Sequence, residues 1–528
     1  MAVETLARTP FISIVLFLPV LGALFLAFIP RKNARAIRNF AFIASIATFL
    51  VSLSLWVNFN ANLSGFQLVE QHNWIPVLGA RYFVGIDGIS LLLVMLTTFI
   101  SPITIIGAFS AIKDREKEFY IAMLFLETAM LGTLVVLDLL LFYVFWEFML
   151  LPMYLMIGIW GSKNRIYATT KFFLYTFFGS IFMLAAVIYL YGKTGWTSFS
   201  FIDILNLHLS LHEQLYLFAA FALAFAVKVP MFPFHTWLPD AHTEAPTPGS
   251  VILAGVMLKL GTYGFIRFAI PLFPAAAGKF AIPIMVLAVI GVVWGSLMAW
   301  YQKDMKRLVA YSSVAHLGIV MLGMFAFTME GMQGSLLQMV NHGISTGGLF
   351  LLVGVIYERR HTRLIAEFGG LGRVMKVYVA FFTIVTLSSI GLPGTNGFVG
   401  EFLVLFGIFK AALASPAFRT VGIILGVFAA TGVILGAVYM LSLIRKVFYG
   451  PITNPKNKNL KDLNLREILI LTTLVIMIFW IGIFPNFFLN KSRATMQNMI
   501  TTYQAQIVQY RDAGHKKTSR IAIVEESK

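Results

Sequence analysis

Apolar runs of about 20 residues, the length that crosses a hydrocarbon core roughly 30 Å thick, alternate with short polar links along almost the whole chain. Fourteen can be counted, near residues 11–30, 39–60, 88–110, 119–136, 138–160, 172–192, 215–235, 249–270, 281–301, 307–328, 334–357, 377–410, 423–444 and 467–490. Each predicts a membrane-spanning helix, so the expected fold is an all-α polytopic membrane protein of about 14 transmembrane helices. The first run is too long for a signal-peptide core and leads into Arg31 rather than a small-residue cleavage site, which makes it a retained span.

Two of the runs are interrupted in the same manner. Residues 228–234 read KVPMFPF, with Pro230 and Pro233, and residues 391–398 read GLPGTNGF, with Pro393 and Gly394, inside the apolar run 377–410. Proline removes a helical donor and clashes with the preceding turn, and glycine admits backbone angles a helix does not use. Each run therefore predicts a discontinuous helix, tolerated at membrane depth only where protein or water satisfies the freed backbone groups. Lys228 and Glu401 are 173 residues apart, Glu147 and His316 169, and five spans separate the corresponding helices. An odd number of spans turns the second copy upside down. The predicted organisation is three N-terminal helices in 1–118, inverted five-helix repeats at 119–270 and 281–449, a loop and last helix in 450–490, and a tail at 491–528. Two unrelated proline kinks are the plain alternative, since proline is frequent in membrane helices.

Ionisable residues fall at one depth. Glu147, Lys259, His316 and His342 each lie eight to ten residues into a run, about 12–15 Å from a membrane face, and Lys228 and Glu401 flank the two breaks. A charge at mid-bilayer costs about 2.5–3.5 kcal/mol on insertion scales, so the six are expected to face inward as a row parallel to the membrane. Ser335, Gln338, His342, Ser345 and Thr346 recur on one helical face suited to holding water. Plainer readings stand beside this one. A single membrane histidine serves as interhelical glue, Glu147 with Lys228 as a fixed ion pair, and Asp138 as an N-cap rather than a proton site. Glu127 is intramembrane with no assignable partner. The stretch HTWLPDAHTEAPTP at 235–248 offers His235, Asp240, His242 and Glu244, but their spacing matches no zinc pattern, and no metal is expected. It reads as a rigid connector from the broken helix to the Lys259 helix, at the inner mouth of a proton path. A lysine whose distance to a carboxylate changes binds its proton with two affinities, and the break gives Lys228 the room to move.

Composition narrows the chemistry. With 59% hydrophobic and 12% charged residues, against about 25% charged in soluble proteins, the chain is built for lipid. It has no cysteine, which excludes thiolate-held iron–sulfur clusters and disulfides from this chain. No glycine-rich dinucleotide fingerprint or P-loop is present. Any redox or nucleotide chemistry belongs to a partner, and no cofactor is expected here. The net charge of +17 is mostly an orientation signal, not a nucleic-acid footprint: alternating the links puts 24 Lys/Arg on one side and six on the other, namely Arg81, Lys193, Arg267, Lys279, Lys410 and Arg419. The first side is then cytoplasmic and both termini lie outside. The tail, with seven more basic residues, departs from that bias.

The segments FWEFMLLPMYLMIGIWG, KVPMFPFHTWLPDAHTEAPTPGSVILAGVMLKLGTYG, AYSSVAHLG and GLPGTNGFVGEF resemble the antiporter-like proton-pumping subunits of respiratory complex I, most nearly the chain M, or subunit-4, type. The similarity spans about residues 80 to 450, and the 228–264 segment is highly specific. The resemblance implies a fourteen-helix fold with two inverted repeats and a central hydrophilic axis. It implies that Glu147 modulates Lys228, that Lys259 is the central relay, that His316 and His342 connect, and that Glu401 is the exit-side residue. Chains L and N, like subunits of multisubunit cation/proton antiporters, typically carry lysine where Glu401 stands, and the stretch after 490 is too short for the lateral helix of chain L. The tail and the 193–214 connection fit short outer-face elements that link neighbouring subunits. The expected function is a proton-translocating membrane-arm subunit of an NADH:quinone oxidoreductase in a bacterial inner membrane, beside chains of the L and N types, with NADH, FMN, iron–sulfur clusters and quinone in partner subunits. The alternative is a subunit of a multisubunit cation/proton antiporter; Glu401 weighs against it.

Overall fold

The computed structural model describes residues 2–525, with side chains through Ile507. Each of the fourteen apolar runs holds helix. Twelve helices among the described residues are long and apolar enough to cross a bilayer, and Phe11–Leu26 and Lys376–Ser389 are shorter apolar helices. Leu211–Lys228 has 18 residues and ends at its lysine. The run 377–410 is two helices, Lys376–Ser389 and Asn396–Ala414, because Gly391 and Gly394 take positive φ of 75° and 90° between them.

Helix starts are set by side-chain caps that satisfy the first orphan amides. Asp87 and Ser90 form a capping box on Gly88–Ala111, Ser210 and Glu213 one on Leu211–Lys228, and Asn464 and Glu467 one on Leu465–Ile483.

Burial separates the helices into two classes. Thr247–Leu272, Met305–Phe325 and Met329–Arg360 are covered along 100% of their apolar windows, whereas Ala34–Asn58 and Arg419–Phe448 are only 28% buried and face outward. The three enclosed helices carry Lys259, His316 and His342, so the chain's own packing keeps these residues away from lipid.

Two elements lie outside the helical expectation. Gln67–Ile75 and Ala80–Ile86 form an antiparallel hairpin, turned by Pro76 and by Gly79 at φ 63°. The N-terminal strand segment joins it through Glu4 N to Phe66 O at 2.8 Å and Val69 N to Thr5 O at 3.0 Å. A hydropathy scan passes over such a stretch because it is too short and too mixed to cross a membrane. The tail after 490 continues one helix, Asn486–Glu525. Its first turns lie over other helix ends: Thr495 Oγ1 accepts from Gly88 N at 3.2 Å, and Tyr503 stacks on Phe327 at 4.0 Å.

Inner helices meet closely where side chains are missing. A methyl group added at Gly334 would reach Val404 N at 2.8 Å and Gly400 O at 3.0 Å, both backbone atoms. Gly334→Ala is therefore expected to cost about 1–3 kcal/mol, read as a lowered thermal midpoint of the purified protein. Gly436→Ala, where the added carbon meets only the Tyr439 hydroxyl at 3.9 Å, should leave the midpoint unchanged or raise it.

Candidate functional site: a row of buried acids and bases

The first break begins at Lys228. Val229–Thr236 turns out of the helix, containing Pro230 and Pro233, and the chain re-enters helix at Trp237–Glu244. The Trp237 indole N–H donates to Val227 O at 2.9 Å, so a carbonyl near the break is satisfied by the segment after it. The Lys228 side chain is 1% exposed. Its ammonium has no hydrogen-bond partner and lies 5.3 Å from the Trp146 ring and 5.9 Å from Phe172, a cation–π setting. Glu147, the residue after Trp146, is half-buried with Oε1 unpartnered. The fixed Glu147–Lys228 ion pair considered from sequence is not formed here: the two groups face one region without touching.

Lys259 sits between two π-helical turns, Leu253–Met257 and Phe265–Ala269. Such turns widen the helix and leave carbonyls open to other donors. Its ammonium donates to Ala254 O in the first of these turns and to His342 Nδ1 at 2.6 Å. The absence of a counter-ion near in sequence thus has an answer: the partner is a histidine 83 residues away.

From His342 the row continues. The His342 and His316 rings are 5.7 Å apart, and His316 Nδ1 donates to Glu401 Oε1 at 2.9 Å. Gln338 Nε2 donates to the same oxygen at 3.0 Å, and Ser389 Oγ lies 3.3 Å from His316 Nε2. A cavity of about 10 Å³ is bounded by His316, His342, Asn341, Ser345 and Ser389, and another of about 10 Å³ by His316, Glu401, Ser389 and Tyr439. Each approaches the room one water needs, and each is lined by polar partners for it. Four of the six expected residues, Lys259, His342, His316 and Glu401, are therefore linked side chain to side chain. Glu147 and Lys228 stand at the other end without a direct bond to them.

The second break is held by amides and hydroxyls. Asn396 Oδ1 accepts from Ser388 Oγ at 2.5 Å, Ser345 Oγ at 3.3 Å and Gly397 N at 3.0 Å, and Asn341 Nδ2 donates to Asn396 O at 2.7 Å. Neutral amides carry no charge signal in a sequence, and Asn341, Asn396 and Ser388 were not legible as site residues.

The accessory candidates separate. Gln338 is bonded to Glu401. Asp138 accepts from Leu140 N and Leu141 N as an N-cap and from Arg81 N at 3.0 Å. Glu127 accepts from Ser45 Oγ at 3.0 Å among the first helices. Of the residues in the 235–248 connector, Asp240 pairs with Lys171 at 2.7 Å and Arg307 at 3.3 Å, while Glu244 accepts from Asn164 N at 3.0 Å. No metal-holding group of three forms among the described residues.

Two basic residues counted as loop charges are buried. Lys306 is 3% exposed and donates to Ala245 O; Arg267 is 0% exposed inside Thr247–Leu272, paired with Asp87 at 2.5 Å. A count of charges between apolar runs cannot see tertiary burial. His242 is likewise enclosed at 0% exposure, stacked on Phe350 at 4.6 Å with neither ring nitrogen partnered. An open cavity of about 690 Å³ reaches Lys306 from one face, bounded also by Ala245, Thr247, Glu358 and Arg363.

Asn396→Ala removes the acceptor shared by three donors. It is expected to destabilise by about 1–3 kcal/mol, seen as a lower melting midpoint, whereas Asn62→Ala at an exposed turn should not shift it.

The family model described as NADH:quinone oxidoreductase/Mrp antiporter, TM, matches residues 136–430, and that of NADH-ubiquinone oxidoreductase chain 4, amino terminus, matches 58–136. The NADH-quinone oxidoreductase subunit M of Rickettsia typhi is 44% identical over 500 residues, covering 94% of this chain and 99% of that protein. That of Rhodobacter capsulatus is 46% identical over 511 residues, covering 94% and 97%. A chain in the structure of respiratory complex I from Thermus thermophilus with bound NADH superposes with a TM-score of 0.84 at 32% identity, covering 93% of this chain and 99% of that one. With its row of buried acids and bases and these matches over nearly its full length, the chain belongs to the NADH:quinone oxidoreductase/Mrp antiporter membrane family, on the branch named subunit M or chain 4.

Proposed function

We propose that this chain is a proton-translocating membrane-arm subunit of an NADH:quinone oxidoreductase, moving protons through Glu147, Lys228, Lys259, His342, His316 and Glu401. The observation that carries the reading is the linkage of Lys259, His342, His316 and Glu401 at 2.6 Å, 5.7 Å between rings, and 2.9 Å, the first three on wholly enclosed helices. A chain of groups that each accept and release a proton, with water-sized cavities beside it, transfers charge sideways at mid-membrane without an open pore. Glu147 and Lys228 act as the adjustable pair: their approach favours the charged lysine, their separation the release of its proton toward Lys259. Protons are taken up through the 690 Å³ cavity past Lys306 and His242, and Glu401 is the terminal acceptor.

In this reading the chain crosses a bacterial inner membrane fourteen times with both termini outside, as inverted repeats at 119–270 and 281–449. Subunits of the L and N types are its neighbours. NADH, FMN, iron–sulfur clusters and quinone act in partner subunits, whose quinone reduction drives the rearrangement. The rival, a cation/proton exchanger component, is disfavoured by Glu401 hydrogen-bonded to His316 and Gln338, where lysine stands in the related exchangers.

The test is quinone-coupled proton uptake in vesicles holding the assembled complex. Lys259→Ala and Lys228→Ala should each reduce uptake by at least about tenfold, a modest share of what positioned acids and bases contribute. Unchanged uptake with intact assembly would leave a scaffold role. Uptake that requires Na⁺ or K⁺ and proceeds without NADH would favour the exchanger.

A further inference from the structure

Lys259, Tyr263 and Arg267 follow one another at four-residue intervals on Thr247–Leu272, which puts them on one face with Arg267 about 12 Å along the axis from Lys259. In the orientation proposed above that direction is outward. Arg267 and Asp87 are 0% and 1% exposed, with Nη2 and Oδ1 2.5 Å apart. Arg267 Nε donates to the Tyr263 hydroxyl at 3.1 Å, which donates to Leu134 O at 2.8 Å, and the guanidinium lies 5.0 Å from the Phe66 ring. Asp87 Oδ1 also accepts from Ile89 N and Ser90 N, both at 3.0 Å, at the start of Gly88–Ala111. The C-terminal helix covers this point: Gly88 N is bonded to Thr495, and a side chain at Gly88 would strike Lys491 O at 2.3 Å.

A buried ion pair is weak evidence for stability, since apolar residues of equal volume often serve as well. Its chemistry suits another purpose. A guanidinium is never deprotonated in a protein, so it cannot pass a proton on, and a fixed positive charge in a narrow path excludes protons and cations. The Tyr263 proton is directed to a carbonyl. Arg267 and Tyr263 therefore offer a proton no outward relay, whereas sideways His342 accepts at 2.6 Å.

We infer that the Arg267 guanidinium is a charged seal over Lys259, closing the outward side so that a proton held there leaves only along His342, His316 and Glu401. The inference rests on the proton-row reading above. Arg267 is a positioning residue in this scheme, acting on the direction of transfer and not on the transfer itself.

The assembled oxidoreductase, reconstituted in liposomes, provides the test through two readouts: decay of an imposed pH gradient without substrate, and protons taken up per NADH oxidised. Arg267→Gln should speed the passive decay at least about tenfold and lower the protons per NADH. Arg267→Lys, whose buried ammonium can lose its proton where a guanidinium cannot, should leak more than the wild type. Asp87→Asn, with an equally good N-cap, should keep both tightness and pumping. An assembled Arg267→Gln complex as tight as the wild type overturns the seal, as does an Arg267→Lys complex as tight as the wild type. Lost pumping in a tight Asp87→Asn complex also overturns it, and makes Asp87 the outward exit. If Arg267→Gln does not assemble, the other two variants decide. A wild-type complex that oxidises NADH without taking up protons refutes the proposed function itself, which separates the two failures.

Discussion

A charge placed in hydrocarbon must find its solvation within the protein, at an insertion cost of about 2.5–3.5 kcal/mol where it does not. This constraint orders the molecule. The helices that carry Lys259, His316 and His342 are wholly enclosed by others, while Ala34–Asn58 and Arg419–Phe448, with no charged group at mid-span, form the rim. Glycines such as Gly334 let the enclosed helices meet backbone to backbone, and that close approach sets the short distances of the row.

Breaking a helix at membrane depth raises the same demand for the backbone, and the two breaks meet it differently. At the second, Asn396, Ser388, Ser345 and Asn341 leave a tight set of bonds beside Glu401. At the first, Trp237 satisfies a carbonyl, yet the Lys228 ammonium is left among aromatic faces with no hydrogen-bond partner. A group left so poorly solvated is easily moved by a change in its surroundings, whereas the Glu401 end is held rigid. The asymmetry suits a row with a switch at one end and a fixed acceptor at the other.

Much of this was legible in the sequence because two signals are local: hydropathy averaged over a span, and proline or glycine at a break. They located the helices and both interruptions. What stayed hidden depends on tertiary packing. Arg267 and Lys306 read as loop charges because burial is not a property of a window. Asn341 and Asn396 have no charge to mark them, and the π turns flanking Lys259 leave no residue signature. The hairpin at 67–86 fell between spans. The sequence also suggested one continuous row, whereas hydrogen bonds join Lys259 to His342 and His316 to Glu401, a ring contact bridges the two pairs, and Glu147 and Lys228 stand apart from them.

The gap between Lys228 and Lys259 and the small cavities around His316 are where the account is most exposed. The most direct measurement is a density map of the assembled complex fine enough to resolve ordered water inside the membrane. The account predicts waters beside His316 in both cavities and between Lys228 and Lys259, completing a hydrogen-bonded line to Glu401. Apolar side chains filling those spaces, with no ordered water joining the titratable groups, would contradict it.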